Sequence, residues 1–369
     1  MLIVGGGING LMSARLLRAA GCEVTLLERG DTGREASWAG GGIVSPLYPW
    51  RYAPAVTALA QMARQAYPRL VGELLAETGI DAELEQCGML MLDATDAAEA
   101  LSWAAAHGED MQRRAQDRLR AELPGLAPHW RQGLWMPAIA NVRNPRLLKA
   151  LREAVVQAGV RVVTGAEVTG AEVTGAEVVG DSGRVTALKA ADGRCFEAEQ
   201  VVVCGGAWSR GLLQALGVTA PPPVRPVRGQ MLLYRLPPGR LPCIVLAEGR
   251  YVIPRRDGHV LCGSTLEECG FDKSVTETAL LSLHASALRL LPELSDQEPL
   301  AQWAGLRPGS PDGTPYIGRV GNLENLWINA GQFRNGLVLA PASARLLTDL
   351  MTGGTPCTDP SPYQWREED

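Results

Sequence analysis

The fold is decided by residues 2–29, LIVGGGINGLMSARLLRAAGCEVTLLER. The apolar residues 2–4 are typical of a buried parallel strand, and a G-x-G-x-x-G motif follows them at once. Residues 11–20 predict a helix that ends at Gly21, and residues 24–27 predict a second strand that ends at Glu28. The order of strand, glycine turn, helix and strand, closed by an acidic residue, predicts a dinucleotide-binding unit.

The glycines and the acid of this motif have separate predicted roles. Gly5 makes the turn, Gly7 lets the pyrophosphate approach the backbone, and Gly10 lets the helix pack on the sheet. The helix N-terminus offers N–H groups to the pyrophosphate. Glu28 would accept hydrogen bonds from ribose hydroxyls, which disfavours NADP but leaves NAD and FAD open. A glycine-rich turn in another α/β fold is the alternative. The residues predicted to hold the cofactor here are Gly5, Gly7, Ile8, Asn9, Gly10, Glu28 and Arg29.

Composition narrows the class of protein. The chain has 369 residues, enough for two domains, and its net charge of −5 without a Lys/Arg run argues against a nucleic-acid partner. No apolar stretch approaches the roughly 20 residues of a membrane span, and no signal-peptide pattern precedes the first strand, so we expect a cytoplasmic protein. The eight cysteines form no C-x-x-C pair and the four histidines lack ligand spacing, so we expect no metal site.

Residues 34–46, REASWAGGGIVSP, bear on the choice between NAD and FAD. An NAD domain would continue with another helix–strand repeat here, whereas small residues let the backbone lie along a flat ring system. This segment resembles the D-amino-acid-oxidase-like flavoproteins, in which it contacts the pyrophosphate and the isoalloxazine of FAD. A flexible surface loop is the alternative. The resemblance implies non-covalent FAD and contacts from Ala36, Ser37, Gly41, Gly42 and Ile43.

Residues 161–209 add two strand patterns, at residues 161–164 and 200–209, and an internal repeat between them. In the resembled family a valine backbone of this region lies on the adenine, and Val168 is its counterpart here. Residues 200–209, QVVVCGGAWS, match the strand that returns the chain to the nucleotide domain. Residues 164–179 contain GAEVT in three near-identical copies, too short for a solenoid, which we interpret as strand and hairpin sequence without a function of its own.

The last third of the chain contains a second kind of signal. In residues 303–318, WAGLRPGSPDGTPYIG, Arg307 stands in an apolar, turn-rich stretch, where a guanidinium usually snorkels or pairs with a carboxylate. Its functional interpretation is a bidentate clamp for a substrate carboxylate. Residues 326–329 predict a strand, followed by a glycine turn and a helix to about residue 351, whose N-terminus would stabilise an anionic reduced flavin. The predicted flavin contacts are Gln332, Phe333, Arg334, Asn335, Gly336, Leu337 and Val338.

Residues 303–318 and 329–341 together resemble the glycine oxidases of thiamine biosynthesis, and the resemblance covers nearly the whole chain. It implies that Arg307 and Arg334 bind the substrate and that Tyr251 helps to hold the carboxylate, although Tyr251 could also be a core aromatic. The chain departs from the family pattern at Gly249 and Leu266, where histidine and methionine are expected at the pocket rim. These departures leave the preference among glycine, sarcosine and small D-amino acids open.

The resemblance implies a D-amino-acid-oxidase-like α/β fold, with a Rossmann-type FAD domain interleaved with a mixed-sheet α+β substrate domain. We expect residues 1–80, 140–220 and 300–369 in the FAD domain, and residues 81–139 and 221–299 in the substrate domain. The expected reaction is oxidative deamination of glycine or a similar small amine by dioxygen, with hydrogen peroxide as a product, in a homotetramer. The alternatives are a D-amino acid dehydrogenase, a sarcosine-oxidase-like or cyanide-forming enzyme, a flavoenzyme acting on tRNA, and a non-catalytic dinucleotide sensor.

Overall fold

A computed structural model describes residues 1–174 and 183–365, whose strands form sheets of six, eight and three strands. In chain order the strands are β1 (Leu2–Val4), β2 (Thr25–Leu27), β3 (Met89–Leu92), β4 (Gln112–Ala115), β5 (Gln132–Met136), β6 (Arg161–Val163), β7 (Val168–Thr174), β8 (Arg184–Ala190), β9 (Cys195–Glu197), β10 (Val201–Val203), β11 (Arg225–Arg235), β12 (Ile244–Ala247), β13 (Arg250–Pro254), β14 (His259–Gly263), β15 (Ala301–Gly309), β16 (Tyr316–Arg319) and β17 (Leu326–Ala330). The helices are α1 (Ile8–Ala19), α2 (Ala36–Ala39), α3 (Pro54–Thr78), α4 (Ala97–Ala106), α5 (Gln116–Glu122), α6 (Asn144–Gln157), α7 (Ser209–Ala215), α8 (Glu277–Leu290) and α9 (Gly336–Thr352).

The six-stranded sheet has the order β16-β17-β10-β1-β2-β6 and is parallel except for β16. Its central strands are short and wholly buried, as strands covered on both faces must be. Ile3 and its neighbours Leu26 and Val202 pack against a helical layer that includes α1, α3, α6 and α9. On the opposite face, Leu2 and Val4 share a core with the three-stranded sheet β7-β8-β9. This sheet therefore carries the nucleotide motif at the carboxyl ends of β1 and β2.

The eight-stranded sheet has the order β15-β11-β14-β13-β12-β3-β5-β4 and is antiparallel except for the pair β12–β3. One face buries α8 through Leu283 and Ala287. The other face holds Met231, Tyr251 and Ile253 in a separate cluster. The sheet is assembled from residues 89–136 and 225–309, so two distant segments of the chain build the wall that faces the nucleotide motif.

The predicted opening strand, helix and second strand are confirmed with small shifts of their ends. Helix α1 begins at Ile8 instead of residue 11, because Gly10 belongs to its first turn and packs on β1: a Cβ there would collide with the carbonyl oxygen of Gly5. The helix predicted to run to about residue 351 is α9, which ends at Thr352. The hydrophobic pattern therefore predicted these elements to within a few residues. It placed the start of α1 too late because Gly10 lies within the first turn of the helix.

The stretch around Arg307, expected to be rich in turns, is instead the long strand β15. It pairs with β11 over its full length, with Val227 opposite Arg307 and Gly229 opposite Gly305. Because β15 is an edge strand of the sheet, Pro308 can be accommodated within it. Residues 301–309 thus belong to the same sheet as the predicted substrate domain, although the predicted boundary at residue 300 assigns them to the FAD domain.

The GAEVT repeat lies partly within a strand. Its second copy falls in β7, which pairs antiparallel with β8. The third copy, residues 175–179, lies outside the described residues. Among the helices that the structure describes, none is long and apolar enough to cross a membrane.

Candidate active site

A cavity of about 460 Å³ lies between the carboxyl ends of β1, β2 and β10 and the eight-stranded sheet. This is where ligands bind in open α/β sheets, and the volume is in the range of about 300–1,000 Å³ of cofactor pockets. The cavity brings together most of the site residues predicted from sequence. They are Gly5, Gly7, Ile8, Asn9, Glu28, Arg29, Ala36, Ser37, Gly41, Gly42, Ile43, Val168, Tyr251, Arg307, Phe333, Arg334, Asn335, Gly336, Leu337 and Val338.

Four predicted site residues do not line this cavity. Gly10 lies against the carbonyl group of Gly5, in the turn between β1 and α1. Gln332 is buried and donates from Nε2 to Asn329 Oδ1 at 2.7 Å, so it supports the loop before α9. The N–H of Gly249 donates to the Tyr48 hydroxyl at 3.3 Å, and Leu266 is 56% exposed. An influence of Gly249 and Leu266 on substrate choice stays a prediction.

The dinucleotide end of the cavity is built from backbone groups and one carboxylate. Gly7 precedes helix α1 as its N-cap residue and has no side chain to cap it, and Ser37 Oγ accepts the N–H of Ile8 at 3.0 Å. Glu28 accepts the N–H groups of Gly6 at 2.7 Å and Gly30 at 2.9 Å. An ionised carboxylate has about four acceptor positions, so Glu28 keeps capacity for ribose hydroxyls. The arrangement fits the pyrophosphate and ribose of a dinucleotide.

The segment after α2 presents a row of donors to the cavity. The N–H groups of Gly41, Gly42 and Ile43 donate to no acceptor within residues 1–174 and 183–365. Gly42 has φ +79°, and a Cβ there would collide with the carbonyl oxygen of Val142. Gly42 is buried, and Gly41 and Ile43 are half-buried. Because buried donors are nearly always satisfied, the unpaired N–H of Gly42 between two further unpaired N–H groups indicates a polar ligand along this backbone.

Asn144 is a site residue that the sequence reasoning missed. It begins α6, and its Nδ2 donates to the carbonyl oxygens of Ser37 at 2.8 Å and Gly40 at 3.0 Å. An asparagine before a proline at a helix start was the available signal. In the described part of the chain, the buried Asn9 Oδ1, Asn144 Oδ1 and Asn335 Nδ2 lack a partner, and all three residues line the cavity. These atoms fit a ligand with several polar groups, such as FAD.

We call the part of the cavity lined by Tyr251, Arg307 and Arg334 its substrate end. The side chain of Arg307 extends into it from β15. Its Nη1 donates to the carbonyl oxygens of Thr265 at 3.1 Å and Arg228 at 3.4 Å, and its Nη2 donates to Ser264 Oγ at 2.7 Å. The guanidinium lies directly over Gly229, where a Cβ would collide with both Nη atoms. The absence of a side chain at Gly229 therefore leaves the space that the Arg307 guanidinium occupies.

The charge of Arg307 is uncompensated. It pairs with no carboxylate among the residues the structure describes, in contrast with the neighbouring Arg228, which is 2.6 Å from both Glu267 and Asp272. Desolvation by burial lowers the pKa of Arg307, Tyr251 raises it by charge and hydrogen bonding, and Arg334 lowers it. Since a half-buried charge without a carboxylate partner is unfavourable, this guanidinium is suited to an anionic ligand.

Tyr251 and Arg334 complete the substrate end. The Tyr251 ring is buried on β13 against the backbone of Gly41, and its hydroxyl donates to Met231 Sδ at 3.5 Å. Arg334 lies in the short helical turn Phe333–Asn335 just before α9 and has no ion pair within the described ranges. A cation at a helix N-terminus is unfavourable unless an anion neutralises it. The pocket therefore favours a carboxylate.

Backbone N–H groups and Glu28, which we call the dinucleotide cradle, open directly onto a pocket lined by Arg307 and Arg334. This arrangement is typical of an oxidoreductase that uses a dinucleotide cofactor. The model of a family described as FAD dependent oxidoreductase matches residues 1–350, and this chain belongs to that family. The membership confirms the prediction of FAD and of a flavoprotein enzyme.

Individual relatives agree with this assignment. The chain is 51% identical over 364 residues to the glycine oxidase of Pseudomonas aeruginosa PAO1, covering 98% of this chain and 97% of that protein. It is 33% identical over 362 residues to the bifunctional protein ThiO/ThiG of Synechocystis sp. PCC 6803, covering 95% of this chain and 51% of that protein. The crystal structure of glycine oxidase from Geobacillus kaustophilus superposes with a TM-score of 0.90 at 28% identity, covering 99% and 97% of the two chains. The predicted fold class is confirmed.

Proposed function

We propose that this chain oxidises glycine with dioxygen and water to glyoxylate, ammonia and hydrogen peroxide. The observation that carries the proposal is the uncompensated guanidinium of Arg307 beside Tyr251, at the end of a cavity whose other end is the FAD cradle. Sarcosine and small D-amino acids share the carboxylate and the amine and are further candidate substrates. The named relatives of P. aeruginosa and G. kaustophilus support glycine as the first choice.

The residues of the pocket would act by binding and orientation. The fork of Arg307 would hold both carboxylate oxygens, with Tyr251 and Arg334 beside it, and so would fix the position of the substrate Cα. Bound FAD, held by Glu28 and by the backbone at Gly5–Ile8 and Gly41–Ile43, would supply the two-electron acceptor for this oxidation, with dioxygen as the final oxidant. The start of α9 would stabilise negative charge on the cofactor through its free N–H groups. The substrate amine would react in its neutral form, so we assign no general base.

Three broader features stay predictions. The resemblance to thiamine-pathway glycine oxidases implies that the product of this chain serves thiamine biosynthesis, and the ThiO/ThiG relative supports this role. The same resemblance implies a homotetramer. The cytoplasmic location was expected from sequence and belongs to this proposal as well.

The test is peroxide release by the purified protein across a panel of glycine, sarcosine, D-alanine and D-proline under air. We expect a yellow protein that releases its flavin on acid treatment and forms peroxide with glycine without any added electron acceptor. Turnover only with a quinone would indicate a dehydrogenase. Bound FAD without turnover on any amine of the panel would refute the proposed activity.

A further inference from the structure

A second arginine, Arg255, lies buried close to the flavin-binding segment and takes no part in the carboxylate pocket. It follows β13 directly, and its side chain is 7% exposed. Its Nη1 donates to Asn141 Oδ1 and to the carbonyl oxygen of Val142 at 3.1 Å. Its Nη2 donates to the carbonyl oxygen of Gly41 at 2.9 Å. One guanidinium thus joins the substrate-side sheet, the segment before α6 and the glycine segment of the cradle.

All three acceptors of Arg255 are neutral. Within the part of the chain that the structure describes, no carboxylate forms an ion pair with it. Burial lowers its pKa to about 10, and the nearby Arg143 acts in the same direction. A neutral side chain could fill the same volume at a lower desolvation cost. The rigid fork of donors that arginine provides, rather than its charge, explains why the site accommodates it.

The bond to Gly41 sets the orientation of one peptide group. The carbonyl of a trans peptide points opposite to the N–H of the next residue. With the Gly41 carbonyl directed at Arg255, the N–H of Gly42 is directed away from it, and this N–H is among the unpaired donors of the cavity wall described above. Tyr251, on the same strand that leads to Arg255, packs its ring on Gly41. Arg255 therefore contacts the segment that separates the cofactor cradle from the substrate tyrosine.

We propose that Arg255 is a positioning residue of the oxidase: it locks the Gly41–Gly42 peptide with its N–H facing the cofactor and fixes the distance between the cradle and Tyr251. The effect on turnover rests on the proposed function, whereas the effect on FAD binding does not. Loss of the lock leaves the carboxylate clamp at Arg307 in place. The rate of the chemical step then falls more than the affinity for substrate.

The test compares Arg255→Met and Arg255→Lys with Arg256→Gln as a matched control. Arg256 is the next residue, but it is half-exposed and pairs with the carboxylates of Asp81, at 2.5 Å, and Glu85 instead of with the flavin-binding segment. Apoprotein of each variant is titrated with FAD by flavin fluorescence, and the visible spectrum of the bound flavin is recorded. For Arg255→Met we expect FAD binding weakened about 10-fold or more, a shifted flavin spectrum, and kcat for glycine lowered about 10-fold with KM changed less than about 3-fold.

Arg255→Lys keeps a positive charge but cannot span three acceptors, so the same direction of change is expected from it. If Arg255→Met does not fold, Arg255→Lys alone is sufficient to test the proposal. Wild-type FAD affinity, spectrum and kcat in Arg255→Lys, or equal losses in Arg256→Gln, would overturn the proposal. If no amine is oxidised by the wild-type protein, the proposed function fails while the FAD affinity and the flavin spectrum still decide the role of Arg255.

Discussion

The two ends of the cavity are built in different ways. At the dinucleotide end, most of the polar groups offered to a ligand are backbone N–H groups of short segments, at the start of α1 and along Gly41–Ile43, together with the carboxylate of Glu28. At the substrate end they come from side chains on three distant elements, Tyr251 on β13, Arg307 on β15 and Arg334 before α9. The first end is sensitive to any added Cβ, and the second is sensitive to the loss of a particular charge. Substitutions at the two ends should therefore separate cofactor binding from substrate binding.

The largest effect is expected from Arg307→Ala. Removing the guanidinium deletes a buried, charge-assisted contact of about 2–5 kcal/mol, so KM for glycine should rise at least about 10²-fold. The flavin content should stay at the wild-type level, because Arg307 belongs to the substrate end. Steady-state peroxide assays and absorbance at the flavin band measure both quantities.

The control for that substitution is Arg225→Ala. Arg225 lies on the paired strand β11, but it is only half-buried and pairs with Glu268 at 3.1 Å. We expect KM unchanged there. A wild-type KM in Arg307→Ala would remove Arg307 from the carboxylate clamp, and loss of flavin would show that the two ends are not separable.

Gly42→Ala tests the opposite end. The new Cβ would meet the Val142 carbonyl oxygen at a residue with φ +79°, a conformation that costs about 1–3 kcal/mol for a non-glycine residue. We expect FAD affinity about 10-fold weaker and a lower Tm, while the KM of the flavin-loaded fraction stays near the wild-type value. The control is Gly72→Ala, inside α3 with open space around its Cβ, which should be neutral or stabilising. Full flavin content and an unchanged Tm in Gly42→Ala would contradict the account of the cradle.

A smaller effect is expected from removing the aromatic stack at the dinucleotide end of the cavity. Phe271 follows the eight-stranded sheet's β14 and stacks on Trp208, with ring centroids 5.5 Å apart, and Arg29 lies 3.8 Å from the Trp208 ring centroid. All three residues line the cavity. Because an aromatic pair contributes about 0.5–1.5 kcal/mol, Phe271→Ala should speed FAD release a few-fold without changing kcat.

The measurement is the rate at which flavin fluorescence appears on dilution of the holoenzyme. Leu281→Ala serves as control, since Leu281 is 61% exposed on α8 and remote from the cavity. An unchanged release rate in Phe271→Ala would show that the stack does not retain the cofactor.

The same contrast explains what could be predicted from sequence. The dinucleotide end is local: the spacing of Gly5, Gly7 and Gly10 between a strand and a helix was enough to place it. The substrate end is built from residues that are distant in sequence. Nothing in the sequence around Gly229 shows that this glycine lies under Arg307 in the pair of strands β11 and β15. Tyr251 could be assigned a role only through the family resemblance, as its alternation within β13 fits a core residue equally well.

Strand β15 and the roles of Asn144 and Arg255 were not predicted, for related reasons. Glycine and proline led us to expect turns throughout residues 303–318, but an edge strand accommodates both, so β15, which covers residues 301–309, was not predicted. Asn144 and Arg255 act on backbone carbonyls more than 100 residues away, namely those of Ser37, Gly40 and Gly41. Such contacts depend on how the six-stranded and eight-stranded sheets pack against each other. Local sequence patterns do not predict that packing.

The smallest effect concerns a charged contact near the substrate-side core. Asp96 accepts hydrogen bonds from Arg51 Nε and Trp50 Nε1, each at 2.6 Å, and Arg51 lies 4.1 Å from the ring centroid of Tyr48. The hydrogen bond with Arg51 is the main cause that lowers the pKa of Asp96 to about 2, against desolvation. The folded-state pKa is thus below the unfolded value of about 3.9. The contact therefore stabilises the fold above about pH 4, and this contribution is lost as the pH falls towards 2.

The prediction is a difference in free energy of unfolding between the wild-type protein and Asp96→Asn of at most about 1 kcal/mol at pH 6, shrinking between pH 4 and pH 2. Urea unfolding at several pH values measures it, with Asp312→Asn as control because the Asp312 side chain accepts hydrogen bonds from Thr314 in its own turn and forms no ion pair within residues 1–174 and 183–365. A difference that grows on acidification would mean that Asp96 is not held ionised by Arg51. Because this contact is remote from the backbone cradle, Asp96→Asn should leave FAD affinity at pH 6 unchanged, unlike Gly42→Ala.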